Sequence, residues 1–175
     1  MTRILVVDDD TFVRMMLALE LPEVELLEAS GVQDGFDVAV NDRPDAVVVD
    51  LKLLDGDGLD LVRRLRNSFG TSRIPIVVVT AGYDPAQLER VVQAGGDEYV
   101  AKPFSPEALS TLVERLIDLP PAQRRPRRMA ALDALRQGQP AQLELEPTQR
   151  EIDLAQLEAE HQDHHWWRRK RPVMQ

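Results

Sequence analysis

The chain has 175 residues, is 43% apolar, contains no cysteine and carries a formal net charge of -9. That length holds one domain of ordinary size and an appendage, and the lack of cysteine excludes disulfides and thiolate metal sites. Residues 1–118 hold 22 acidic against 11 basic side chains and residues 119–175 hold 8 against 10, so nucleic acid is not an expected partner of the first part, and only the tail suits a polyanion.

The chain opens Met1-Thr2-Arg3 and enters Ile4-Leu5-Val6-Val7, a buried strand too short for a signal-peptide core. No run of 18 apolar residues follows, so no membrane span is expected and a cytoplasmic protein is the default. Asp8-Asp9-Asp10 ends this strand. Thr11 then offers a helix cap, with Phe12, Met15, Met16 and Leu19 at helical spacing and Pro22 as the stop. Val24 to Ala29 reads as a second strand. Val32–Asn41 reads as a helix with Val32, Phe36, Ala39 and Val40 on one face. Ala46-Val47-Val48-Val49 is a strand buried on both faces, and it delivers Asp50 to a turn-rich stretch that runs to Gly58.

Leu59 to Asn67 predicts a third helix with Leu61, Val62 and Leu65 inward and Arg63, Arg64 and Arg66 outward. Ile74 to Thr80 predicts a fourth strand, and Pro85 to Ala94 a fourth helix stopped by Gly95-Gly96. Glu98 to Ala101 is a short fifth strand. Lys102-Pro103-Phe104 turns the chain into a fifth helix, capped by Ser105 with Pro106 at its first position. Pro120-Pro121 closes the domain. Residues 119–128, with Arg124-Arg125-Pro126-Arg127-Arg128, read as a helix-poor linker, and residues 129–175 as a helical interaction tail. Within that tail, Met129 to Gln137 reads as a short helix with Met129, Leu132 and Leu135 near one face.

Strands alternating with helices predict an α/β fold, a doubly wound five-stranded parallel sheet with a C-terminal helical extension. Right-handed crossovers gather the strand ends along one edge, where such folds place their chemistry. The residues gathered there are Asp8, Asp9, Asp50, Thr80 and Lys102. Three converging carboxylates call for a cation, and an all-oxygen site suits Mg²⁺. Asp50 is then a nucleophile for a phosphoryl group, since a carboxylate needs no general base. The Thr80 hydroxyl and Lys102 ammonium are catalytic groups that hold the phosphoryl oxygens as they gain charge.

Residues 1–118 resemble the receiver domain of two-component response regulators, a flavodoxin-like, CheY-like family. The resemblance rests on Val6-Val7-Asp8-Asp9-Asp10, Pro44-Asp45 leading to Asp50, Asp57-Gly58, Thr80-Ala81, and Ala94-Gly95-Gly96-Asp97-Glu98-Tyr99 through Lys102-Pro103-Phe104. It implies that Asp50 is the phosphoacceptor for a sensor histidine kinase. It also implies that Asp9, Asp50 and the Lys52 carbonyl ligate Mg²⁺, with Asp8 acting mainly through water. Thr80 and Lys102 bind the phosphoryl group, the Lys102–Pro103 peptide is cis, and Tyr99 is the switch aromatic. The same resemblance implies signalling, and homodimerisation, through the face of the fourth helix, fifth strand and fifth helix. On this reading the protein is not an enzyme beyond self-catalysed phosphotransfer and autodephosphorylation. Two departures stand out: Leu21-Pro22-Glu23 is a tight connection, and Leu54-Asp55 stands where the family usually has proline.

The tail is too short for a winged helix and lacks a recognition helix after Pro147-Thr148-Gln149-Arg150-Glu151-Ile152, which resembles the start of a helix-turn-helix. An unknown downstream protein is the expected partner, and an atypical DNA-binding output through the basic tail is the alternative. His161, His164 and His165 offer a metal set, and Trp166-Trp167 beside Arg168 to Arg171 a lipid or nucleic-acid contact. A Mg²⁺-dependent haloacid-dehalogenase-type phosphatase is a rival. Asp8-Asp9-Asp10 fits it superficially, but Thr11-Phe12 does not meet its motif and there is no cap domain. A receiver-like scaffold that never accepts phosphate is disfavoured, because all five site positions hold competent residues.

Overall fold

The computed structural model describes residues 1–82 and 84–137. Among the described residues there are seven strands: β1 Thr2–Val7, β2 Val24–Ala29, β3 Ala46–Asp50, β4 Lys52–Leu53, β5 Gly56–Asp57, β6 Ile76–Thr80 and β7 Glu98–Ala101. The helices are α1 Thr11–Glu20, α2 Val32–Asp42, α3 Gly58–Asn67, α4 Pro85–Ala94, α5 Pro106–Asp118 and α6 Pro121–Arg136. Five strands form one parallel sheet in the order β2-β1-β3-β6-β7, the doubly wound arrangement the sequence predicts. The short β4 and β5 pair antiparallel just after Asp50, where only a turn was expected.

The central strands explain their own composition. Leu5, Val7, Val47, Val49, Ile76 and Val78 pack on one face with residues of α3 and α4. Ile4, Val6, Ala46, Val48, Val77 and Val79 pack on the other with α1 and α5. A strand covered on both faces has no solvent side, so it is apolar at every position rather than at alternate ones. The predicted fourth strand begins two residues late, at Ile76, because the Ile74 N–H closes a turn onto the Thr71 carbonyl.

Several helix readings need correction. The cap of α1 is Asp10, not Thr11; its carboxylate accepts from the Phe12 N–H at 2.8 Å. Phe12, Met15 and Leu19 are 53%, 51% and 73% exposed, whereas Leu17 is 1% exposed with Val13 and Met16 beside it. The helix carries two apolar stripes, and spacing alone does not say which one meets the sheet. In α2 the buried residues are Gly35 and Ala39, and Val40 is exposed. In α3 the apolar set lies inward as predicted, but Arg66 turns in rather than out.

The Leu54-Asp55 departure has a structural use. Gly31, the N-cap of α2, has no side chain to accept a hydrogen bond. Asp55 reaches across from the β4–β5 turn, and its two oxygens accept from the Val32 N–H at 3.0 and 2.9 Å. Asp55→Ala should therefore cost about 0.5–2 kcal/mol, the range for a lost N-cap, read as a lower urea midpoint with an unchanged slope.

Residues 121–128 of the linker expected at 119–128 are instead the first half of α6, with Pro126 inside the helix. Arg124, Arg127 and Arg128 are anchors rather than solvated charges. Arg124 donates to the Arg73 carbonyl at 2.8 Å, Arg127 lies 3.0 Å from Glu98, Arg128 pairs with Asp97, and Ala131 is buried against the core. Such contacts outweigh the single hydrogen bond that an internal proline removes. Of the predicted 129–175 tail, only residues up to 137 are described, as the end of α6 and its last turn; the stretch from Pro147 to Ile152, the histidine set and the Trp166-Trp167 segment lie outside the described residues. Among the described residues no helix is long and apolar enough to cross a membrane.

Candidate functional site

The carboxyl edge of the sheet collects the end of β1, the end of β3, the end of β6 and the residue after β7. Asp8 follows β1 and is buried; its Oδ1 accepts from the Asp10 N–H at 2.9 Å. Asp50 ends β3, and its Oδ1 accepts from the Lys52 N–H at 3.0 Å. Carboxylate oxygens of Asp8, Asp9 and Asp50 lie within 4.8 Å of one another.

Lys102 spans the other side of this group. Its Nζ donates to Asp8 Oδ2 at 2.7 Å and to Asp50 Oδ2. Burial disfavours the ammonium, but the hydrogen bonds to Asp50 and Asp8 outweigh it and hold the lysine above its usual 10.5. Lys102 is therefore charged at neutral pH. The Lys102–Pro103 peptide is cis, as the resemblance implied.

Thr80 ends β6 beside β3 and is buried, with its hydroxyl donating to Gln87 Oε1 of α4 at 3.1 Å. Tyr99 is buried too. Its hydroxyl donates to the Gly82 carbonyl at 2.5 Å and accepts from the Asp84 N–H at 3.3 Å. An aromatic on the edge strand of the sheet is thus turned inward and tied to the segment between β6 and α4. The structure therefore joins Asp8, Asp9, Asp50 and Lys102 in one cluster, with Lys52 bonded to it through the backbone. Thr80 sits at the neighbouring strand end, and Tyr99 lies one step further along the same connection.

Sequence reasoning did not find Gln87 or Arg14. Arg14 of α1 donates to the Asp8 carbonyl and pairs with Glu28 at 2.9 Å, bracing the β1–α1 turn. Neither residue sits at a strand end, so the edge argument had no reason to pick it. Asp97 was noticed only as part of a motif, and its role as the counter-ion of Arg66 at 2.6 Å had no sequence signal.

The cluster is a set of carboxylate oxygen donors beside one ammonium. Three carboxylates and one ammonium leave the pocket with an excess of two negative charges, and hard oxygen donors in this number fit a Mg²⁺ ion that keeps several waters. Asp50 has its backbone fixed at the end of the central strand, paired with Val79 of β6. Fold and site together define a flavodoxin-like α/β domain with an acidic pocket and a lysine at its carboxyl edge.

Comparison with known proteins agrees. The response regulator receiver domain matches residues 4–114. The chain is 38% identical over 108 residues to the phosphate regulon transcriptional regulatory protein PhoB of Pseudomonas aeruginosa, covering 61% of this chain and 47% of that protein. It is 35% identical over 158 residues to the response regulator MprA of Mycobacterium bovis, covering 88% of this chain and 64% of the relative. The CheY-like receiver domain protein of Methanospirillum hungatei superposes with a TM-score of 0.62 at 26% identity, over 67% of this chain and 94% of that one. The receiver domain of a Pseudomonas aeruginosa sensor histidine kinase, solved with magnesium in its active-site cleft, gives 0.62 at 27% identity over 67% of this chain and 98% of that one. The chain belongs to the response regulator receiver family of two-component systems. It spans about half the length of curated relatives such as PhoB.

Proposed function

We propose that this receiver accepts a phosphoryl group on Asp50 from a sensor histidine kinase, with Mg²⁺ held by Asp9, Asp50 and the Lys52 carbonyl and by Asp8 through water. The observation that carries the reading is the convergence of Asp50 with Asp8, Asp9 and Lys102. When bound, Mg²⁺ supplies positive charge against the phosphoryl oxygens. Lys102 and the Lys52 N–H hold the two oxygens of Asp50 in place. An Asp50 oxygen then forms the new O–P bond as the donor's N–P bond breaks, and the departing imidazole keeps the electron pair. The Lys102 ammonium and the Thr80 hydroxyl meet the transferred group, and Thr80 must leave Gln87 to do so.

Thr80 and Tyr99 then form the switch. Tyr99 is already buried and bonded to Gly82 and Asp84, so the moving parts are the Thr80 hydroxyl and the β6–α4 connection. This biases the α4–β7–α5 face between two arrangements. Output runs to a downstream protein or a second copy of the chain, and α6, packed on α4 and reaching Glu98 of β7, takes part in it. The names of PhoB and the wider match to MprA favour a second reading, a transcriptional output served by the basic tail.

The test is intact-mass spectrometry after incubation with acetyl phosphate and Mg²⁺. Wild type should gain one base-labile phosphoryl group and Asp50→Asn none. An adduct that persists in Asp50→Asn but vanishes in Asp8→Asn, with turnover of phosphate esters, would move the assignment to the phosphatase. The buried, doubly bonded Asp8 carboxylate speaks against that outcome.

A further inference from the structure

A second polar site lies at the opposite, amino-terminal edge of the sheet. There a cavity of about 560 Å³ opens between α6, the turn before β6 and Asp97. Its wall holds five arginines, Arg66, Arg73, Arg124, Arg125 and Arg128, against one carboxylate, Asp97. That volume is in the range of small-molecule sites, roughly 300–1,000 Å³.

Asp97 cannot balance this charge. Its Oδ2 already accepts from Arg66 at 2.6 Å and from the Ile76 N–H at 2.8 Å, and its Oδ1 accepts from Arg128. Arg124 is only 6% exposed and stands 3.9 Å from Asp97. One of its terminal nitrogens donates to the Arg73 carbonyl, and its Nε is buried with no hydrogen-bond partner. A buried, unsatisfied guanidinium N–H beside surplus positive charge lacks an acceptor of opposite sign. Burial, together with repulsion from Arg128 and Arg124, pushes the Arg66 pKa down to about 10 despite the attraction of Asp97. Arg73 and Arg125 are exposed, and neither forms an ion pair with a described carboxylate.

We propose that this cavity binds a phosphate-bearing small molecule with two or more negative charges. Guanidinium forks match phosphate oxygens in pairs, and a singly charged carboxylate would leave most of the excess uncompensated. Arg66 and Arg73 belong to the receiver core, whereas Arg124, Arg125 and Arg128 belong to α6. The ligand therefore pins α6 to the domain, and its supply sets how firmly that helix is held. Inorganic diphosphate and a nucleotide share the required chemistry, and Pro120, Pro121 and Ala122 give the cavity an apolar wall for a larger ligand.

The experiment is calorimetric titration of the full chain with pyrophosphate and separately with ATP, in EDTA so that the Mg²⁺ site is silent. Saturable binding is expected, tighter for pyrophosphate if the phosphates alone are read and tighter for ATP if the apolar wall contributes. The Arg73→Gln/Arg125→Gln double variant, which alters only exposed side chains, should bind about tenfold more weakly or worse. Arg63→Gln, an exposed arginine away from the cavity, should bind like wild type, as should Asp50→Asn, which separates this site from the phosphoacceptor. No saturable binding by wild type, or equal binding by wild type and the double variant, overturns the proposal.

Discussion

Replacing Asp97 by alanine should lower the stability of the receiver by about 3–5 kcal/mol, the cost of removing one partner from a buried ion pair. The carboxylate is buried, and three arginines converge on it. Arg66 would lose its one nearby counter-charge among the described residues, while its hydrogen bonds to the Gly95, Ser72 and Ile74 carbonyls still hold it in place. The Ile76 N–H at the start of β6 would also lose its acceptor. Arg128 would lose its anchor, so protection of residues 121–136 against hydrogen exchange should fall before the core unfolds. Asp97→Asn keeps an acceptor for Ile76 but not the charge, so it should fall between alanine and wild type. A urea series for the three proteins, read with hydrogen exchange, checks both effects. A loss under 1 kcal/mol would mean that Asp97 does not organise this cluster.

Gly58→Ala should destabilise by about 3 kcal/mol or more and slow phosphorylation as well. An added Cβ would stand 2.0 Å from the Asp50 carbonyl oxygen and 3.0 Å from its carbon. Both atoms are backbone, so no rotamer change relieves the clash. The Gly58 N–H also donates to the Leu51 carbonyl at 2.9 Å, which closes the β4–β5 excursion back onto the strand end. Either α3 or the end of β3 must move, and β3 carries Asp50, the proposed phosphoacceptor. Gly70→Ala is the matched control, because an added Cβ there meets nothing within 4 Å. Chemical denaturation gives the first effect, and the rate of adduct formation with acetyl phosphate gives the second. A Gly58→Ala protein as stable and as quickly phosphorylated as Gly70→Ala would show that the contact is relieved without moving Asp50.

The presence of α6 on the α4 side changes what the proposed output face offers. Arg127 is paired with the buried Glu98 of β7, and Arg136 lies 3.7 Å from Glu89 of α4. Anything that engages this face through α4 meets α6 or displaces it. On the proposed readings, signalling and the arginine cavity share α6, at opposite edges of the same sheet.

By itself the sequence determined the five strands of the main sheet, to within two residues, and the acidic edge. Ile4 to Val7, Ala46 to Val49 and Ile76 to Val79 are apolar at every position because central parallel strands have no solvent face, and that pattern is local. Once the strands were placed, chain topology alone brought Asp8, Asp9, Asp50 and Lys102 to one edge, since parallel strands end on the same side. The tertiary structure decided what local pattern leaves degenerate. It chose Leu17 over Phe12 and Leu19 as the inward stripe of α1, turned Arg66 inward to Asp97, and set Asp55 on the N-terminus of α2. It also joined Thr80 to Gln87, buried Tyr99, and made a helix of the arginine-rich stretch around Pro126. Each of these depends on a partner in another element of the fold. A charged or aromatic side chain has no inward or outward preference of its own until a counter-ion or an acceptor is packed beside it.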